Sequence, residues 1–271
     1  MVDFLKKSWA FFKRDLIENT SYKISYVLEF GGILASLLSF FFIGKLVGSS
    51  AKPYLAEYGG DYFPFVIIGI AFASYLSTSL TSYTHAIAKE QGLGTMEALL
   101  ITPTGIPTII LAGVIWNFIF TSVRVVIYMF LGMIFFGLDL HRANIPVALL
   151  VLCLTITSLS GLGIFSAGFT LMLKRGDPVN YFVGGFSKFL SGVYFPIAIL
   201  PVWVQKVSWF IPLTYSLKAM RMTILNGASF TQVADEIAAL ITFSLILLPL
   251  ALLFFKFSLR RVMADGSLIH Y

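Results

Sequence analysis

Few side chains in this 271-residue sequence can do chemistry, and most of those that can are not at catalytic spacing. His85, His141 and His270 lie far apart and Cys153 is the single cysteine, so the sequence offers no zinc-type ligand cluster and no internal disulfide. The stretch SLSGLG lacks the first glycine of a G-x-S-x-G nucleophile elbow. A phosphate loop of the form G-x-x-x-x-G-K followed by Ser or Thr is also missing, so this chain has no cradle for nucleotide phosphates. What remains is charge in unusual places. Arg124, in FTSVRVVIYM, and Lys188, in GGFSKFLSG, each sit inside an apolar run. A cation at a bilayer centre costs about 2.5–3.5 kcal/mol or more, so each needs a partner or water. Two readings stand for them: a position that attracts an anionic head group, or a structural charge that snorkels to an interface or pairs with an acid such as Glu29.

The elements that position these residues are membrane elements. Apolar residues make up 58% of the chain and charged residues 12%, about half the roughly 25% charged share of soluble domains. A hydrocarbon core of about 30 Å needs about 20 apolar residues per helix. Six stretches meet or approach that length, at about 24–47, 62–85, 106–136, 145–173, 179–195 and 235–257. The run 24–47 is longer than the roughly 7–15 residues of a signal-peptide core, so it is read as a retained span. The expected fold is all-α integral membrane, one domain over 1–271 with six transmembrane helices.

Before the first span, DFLKKSWAFFKRDLIENT alternates apolar and charged positions at helical spacing. Phe4, Trp9, Phe12 and Leu16 share a face, and the spacing predicts an amphipathic interfacial helix within 1–23. With the N-terminus inside, eleven of the nineteen Lys and Arg fall on the cytoplasmic side and six outside. That excess predicts cytoplasmic N- and C-termini. The net charge of +6 is therefore an orientation signal, and no long basic run points to nucleic acid.

The loop AKEQGLGTMEALLITPTG, Ala88 to Gly105, falls on the cytoplasmic side of this topology. Thr95 can cap a short helix, Glu97 then suits the positive end of its dipole, and Pro103 ends it. Gly92 and Gly94 allow a sharp turn after the second span. A rigid lever joined to two spans and a passive cap on the lipid surface are both consistent with these residues. A second unusual segment, SGVYFPIAILPVWVQKVSWFIPLTYSLKAMR, is apolar but broken by Pro196, Pro201 and Pro212 into pieces too short to cross. Such pieces dip into a membrane and return when protein shelters their backbone, which predicts a re-entrant region over 196–232 on the outer side.

Both segments resemble type-2 ABC exporter permeases. Glu90, Gly94, Thr95, Glu97, Leu99, Leu100 and Pro103 match the cytoplasmic loop of that family. Gly192, Phe195, Pro196, Leu200, Pro201, Pro212, Leu213, Thr214, Tyr215 and Arg221 match its Pro-rich segment. The resemblance implies that loop 86–105 is a coupling helix docking on a cytoplasmic ATPase, with Glu90, Gly94, Thr95, Glu97 and Leu100 at the contact. It implies a re-entrant motif carried by Phe195, Pro196, Pro201, Pro212, Tyr215 and Arg221, and a pairing of two permease copies with two ATPase subunits in a bacterial or archaeal cell (inner) membrane. The chain itself would hold no cofactor and no metal, ATP and Mg being bound by the partner ATPase, and would act as a transport subunit, not an enzyme. Arg124 and Lys188 would then lie on the path of an amphipathic cargo such as a lipid-linked glycan, a glycolipid or a drug. Two other functions are weighed against this: an ion-coupled secondary transporter, which needs buried acids in its spans, and a non-transporting scaffold, which needs no such loop.

Overall fold

The computed structural model describes residues 23–92, 106–173 and 180–264. Among these residues the chain is helical, without a strand. In chain order the helices are α1 (Lys23–Val47), α2 (Lys52–Leu55), α3 (Tyr62–Gly92), α4 (Ile106–Phe136), α5 (Ile145–Leu173), α6 (Gly185–Leu190), α7 (Val202–Ser208), α8 (Pro212–Leu225) and α9 (Ala234–Ala264). Five of them, α1, α3, α4, α5 and α9, are long and apolar enough to cross a membrane. Only a helix satisfies every backbone N–H and C=O within a single segment, which is why these apolar runs take that form.

The expected spans 24–47, 106–136 and 145–173 coincide with α1, α4 and α5 to within a residue. Helices α3 and α9 continue past the expected ends at 85 and 257, to Gly92 and Ala264. The expected fifth span, 179–195, differs. It is a π-helical turn, Asn180–Gly184, running into α6, and the helix stops at Leu190. The stop has a local cause: Gly192 adopts a positive φ of 78°, and Pro196 follows in an extended conformation. Span-length helices among the described residues therefore number five, not the six expected. The interfacial helix expected over 1–23 lies outside the described residues, apart from Lys23, which opens α1.

Helix α5 is the centre of the bundle. It packs on α9, α3 and α8, and small residues allow the approach. A Cβ on Gly161 would stand 2.7 Å from Leu247 Cβ on α9, and one on Gly163 would overlap the Ser79 carbonyl and the Tyr83 ring on α3. The Ser79 hydroxyl, fully buried, donates to the Leu159 carbonyl at 2.6 Å. Helix α1 is peripheral by comparison. Of its described side chains only Ile33 and Leu37 are buried. Its C-terminal half is pinned by aromatic contacts, with the Phe41 ring 5.6 Å from Phe63 and 5.0 Å from Phe136.

The prolines of the 196–232 region start helices. Pro196 precedes a 3-10 turn at Ile197–Ile199, Pro201 precedes α7, and Pro212 is the first residue of α8. Each sits where its missing N–H would have had no intrahelical acceptor. This short-helix layer caps the end of the bundle where α1 finishes and α3 begins. Asn144 N–H donates to Thr223 O at 2.9 Å, and its side-chain amide donates to Ala228 O at 3.1 Å. Lys218 bridges Glu236 at 3.0 Å and Glu57 at 3.7 Å. Burial pulls the Lys218 ammonium down, but the hydrogen bond and charge of Glu236, with Glu57, outweigh it and hold the group above the ordinary lysine range.

If close approach at α5 sets the bundle, Gly163→Val should cost about 1–3 kcal/mol or more, since overpacking forces backbone shifts. Gly31→Ala, where a Cβ meets nothing within 4 Å, should stay within about 1 kcal/mol of wild type. Thermal melting of the detergent-solubilised protein, followed by size exclusion, separates the two outcomes.

Candidate functional site

Helical spacing places the two deep cations on one feature. On α4, Phe120, Val123, Arg124 and Ile127 follow the i, i+3, i+4, i+7 pattern and form one wall of a cleft of about 430 Å³. Glu29, Phe30 and Ile33 of α1 form the other wall. Glu29 and Arg124 make a salt bridge across it, their side chains 26% and 33% exposed. A second cleft, of about 200 Å³, is also lined by Arg124. Its lining takes Ile70, Ala73, Ser74 and Ser77 from α3, again at i, i+3, i+4, i+7, with Tyr128 of α4, Lys188 of α6, and Val193 and Tyr194 beyond it. Arg124 thus lines both an apolar groove and a polar cleft, and it shares the latter with Lys188.

The charges there do not balance. Arg124 has one carboxylate, and Lys188 has none within ion-pair distance among the described residues. Arg124 Nε is buried without an acceptor among the described residues. Around these charges, hydroxyls tie α3 to α4: Tyr75 donates to Ser122 Oγ at 2.9 Å, and Thr78 and Thr121 share a hydrogen bond of 2.6 Å. The cleft is therefore a cationic, hydroxyl-lined position beside an apolar groove. That combination suits a molecule with an anionic head and an apolar body.

The far wall of the polar cleft is held by Arg221. This residue is 3% exposed and has no acidic partner among the described residues. Its Nε donates to Phe65 O at 3.1 Å, and one terminal nitrogen donates to Gly192 O at 2.9 Å and Val193 O at 3.1 Å. The guanidinium also lies over the Phe65 ring, 3.4 Å from its centre, where the π face favours a cation. Tyr62 adds a hydrogen bond from its hydroxyl to Tyr194 O at 3.0 Å. The turn that ends α6 is thereby fastened to the start of α3. Gly69 leaves room for this, since a Cβ there would overlap Val193 O and the Arg221 guanidinium.

Of the residues singled out by sequence, Arg124 and Lys188 come together at this cleft. Phe195 packs its ring edge-on to Phe189 at 5.3 Å, and the Tyr215 hydroxyl donates to Trp209 O at 3.0 Å. Pro196, Pro201 and Pro212 open helices, and Arg221 is the buried clamp. Glu90 belongs to the last turn of α3, while Gly94, Thr95, Glu97 and Leu100 lie outside the described residues. The sequence reading missed that Arg221 is buried. The signal was present: Leu213, Leu217 and Arg221 recur at i, i+4, i+8 on the inner face of α8. No group of three His, Cys, Asp or Glu side chains that could hold a metal occurs among the described residues.

The sequence pattern of one protein family, described as ABC-2 type transporter, matches residues 7–225. The inner membrane transport permease YadH of Escherichia coli (strain K12) is 24% identical over 198 residues, covering 72% of this chain and 74% of that protein. The proteins of the same name from Escherichia coli O157:H7 and Shigella flexneri match to the same extent.

Arg221→Met should leave the non-helical Gly192 and Val193 carbonyls unpaired, at about 1–3 kcal/mol each, and take from Phe65 O the donor it has beyond its own helix. We expect a large loss of thermal stability and new protease cleavage around residues 190–200. Arg221→Lys, which restores the charge without the fork of donors, should recover only part of the loss.

Proposed function

Since the chain belongs to the ABC-2 type transporter family, we propose that it is the permease subunit of an ATP-driven exporter that carries an amphipathic, anionic cargo across the cell membrane. The family supports the coarser statement that this is the multi-pass membrane subunit of an ABC transporter, a class that associates with an ABC ATPase. Export, the class of cargo and the assembly are our reading. The observation that carries it is the pair of cations, Arg124 and Lys188, on one cleft beside an apolar groove.

In this reading residues 86–105 form the coupling helix. ATP-driven motion of the ATPase enters there and passes along α3, whose last turn contains Glu90, to the wall of the cleft. The segment up to Leu190 completes a sixth crossing, both termini are cytoplasmic, and 196–232 dips into the outer leaflet and returns. Two copies of the chain pair with two ATPase subunits, in a bacterial or archaeal inner membrane. ATP and Mg are bound by the ATPase, whose chemistry is hydrolysis; this chain supplies the path. An ion-coupled transporter is disfavoured because, among the described residues, the span acids Glu29 and Glu236 are each already paired with a cation, Arg124 and Lys218.

Co-expression with the ATPase provides the test. Glu97→Lys or Gly94→Pro should reduce ATPase recovered with the tagged permease at least tenfold and abolish ATP-dependent export. Arg124→Ala and Lys188→Ala should lower export of an alkyl phosphate reporter at least tenfold while leaving the complex assembled. Transport by wild-type permease in vesicles that contain no ATPase would overturn the proposal.

A further inference from the structure

We infer that Glu29 neutralises, in the resting chain, the arginine that would bind the cargo's phosphate head, and that an incoming phosphate releases α1 from α4 by competing with Glu29 for Arg124. The inference rests on the reading above of the cleft as a cargo path.

Three observations carry it. The first is charge. Arg124 and Lys188 line the same cleft, and Glu29 is the one carboxylate among the described residues that meets either of them. One positive charge is left over in a poorly hydrated setting, where uncompensated charge is costly. A phosphate monoester carries about −1.5 to −2 at neutral pH. It would balance Arg124 and Lys188 together once Glu29 had left, which a single carboxylate cannot do. Arg124 Nε, buried and without an acceptor among the described residues, is a donor still available to it.

The second is position. Arg124 lines both clefts. A phosphate in the polar cleft therefore reaches the same guanidinium, with the Ser77, Tyr128 and Tyr194 side chains lining that cleft beside it. The adjoining groove is walled by Phe30, Ile33, Phe120, Val123 and Ile127, so an alkyl chain attached to that phosphate has apolar surface to follow once α1 gives way.

The third is the mounting of α1. Its C-terminal half is held by Phe41 against Phe63 and Phe136, and by Leu37, which is fully buried. Toward the other end, the described side chains before Ile33 are exposed, apart from Glu29 on its bridge to Arg124. Among the described side chains of that end, Glu29 is the one that ties α1 to α4 by charge, so exchange of the pair would loosen this end of the helix. The pair is a latch, and the head group of the cargo is its competitor.

The test is equilibrium binding of dodecyl phosphate to the full chain in phosphatidylcholine nanodiscs. Glu29→Gln removes the competitor and should tighten binding roughly tenfold, whereas Arg124→Gln should abolish it. Dodecyl maltoside, which is uncharged, should not displace the phosphate. An unchanged Kd in Glu29→Gln, or retained binding in Arg124→Gln, would overturn the inference. So would competition by phosphatidylglycerol at equal mole fraction, which would make this a site for bulk lipid. Should Glu29→Gln fail to accumulate, Glu29→Ala and Arg124→Gln decide the matter by the same readout. Because no ATPase is present in this measurement, a negative result leaves ATP-dependent export by the wild-type complex intact and distinguishes failure of the latch from failure of the exporter reading.

Discussion

A guanidinium withdrawn from water keeps its charge and must still place its donors. Arg221 meets that requirement with backbone carbonyls instead of an acid, and the rest of the architecture follows from its choice. Phe65 O belongs to the first turn of α3, while Gly192 O and Val193 O belong to the turn that ends α6. One side chain therefore locks the broken, Pro-rich half of the molecule onto the buried central helices. Without it, the turn carrying Val193 and Tyr194 would be tied to α3 through the Tyr62 hydroxyl alone of the two polar contacts described, and the cleft shared with Arg124 would lose one of its fixed walls. The carbonyls gain as much as the arginine does, since the residues after Leu190 are not helical and would otherwise carry unpaired acceptors.

The two deep cations at the cleft are treated differently from Arg221. Arg124 has an acid across the groove, Lys188 has none among the described residues, and both are only partly withdrawn from the surface. A structural charge is usually satisfied in full, as Arg221 is by three carbonyls and a ring face. Charges left short of partners at a lined cavity point instead to something that comes and goes. The hydroxyl pairs between α3 and α4 tie together the two helices behind them, while α1 borders only the adjoining apolar groove.

Much of the bundle could be read from composition, and the reason is physical. Twenty apolar residues in a row leave a chain few options in hydrocarbon, so α1, α4 and α5 were expected within a residue of their observed ends. The stretch 179–195 was harder, because apolar count measures affinity for lipid and not continuity of helix; Gly192 and Pro196 decide the latter. The Glu29–Arg124 pair was legible as a possibility, since a lone cation in a span calls for an acid. That Arg124 and Lys188 meet was not legible: it depends on how α6 is carried against α3, a contact set by Arg221 through carbonyls up to 156 positions away. Local periodicity marked Leu213, Leu217 and Arg221 as one face of α8 but could not say what that face touches. The loop expected at 86–105 was read from its caps and glycines and then through resemblance, and its first residues, up to Gly92 and including Glu90, belong to the end of α3.

The distance along the chain between Glu29 and Arg124, about 95 residues, has a consequence for biosynthesis. Helix α1 leaves the ribosome and enters the lipid bearing a carboxylate whose counter-ion has not yet been made. At about 5–20 residues per second, translation needs on the order of 5–20 s to deliver the arginine. During that interval the acid must be protonated, hydrated or shielded by the insertion machinery, while α1 can already engage Phe63 of α3 through Phe41. Assembly of this permease is thus obliged to wait for its third long helix before its first can settle.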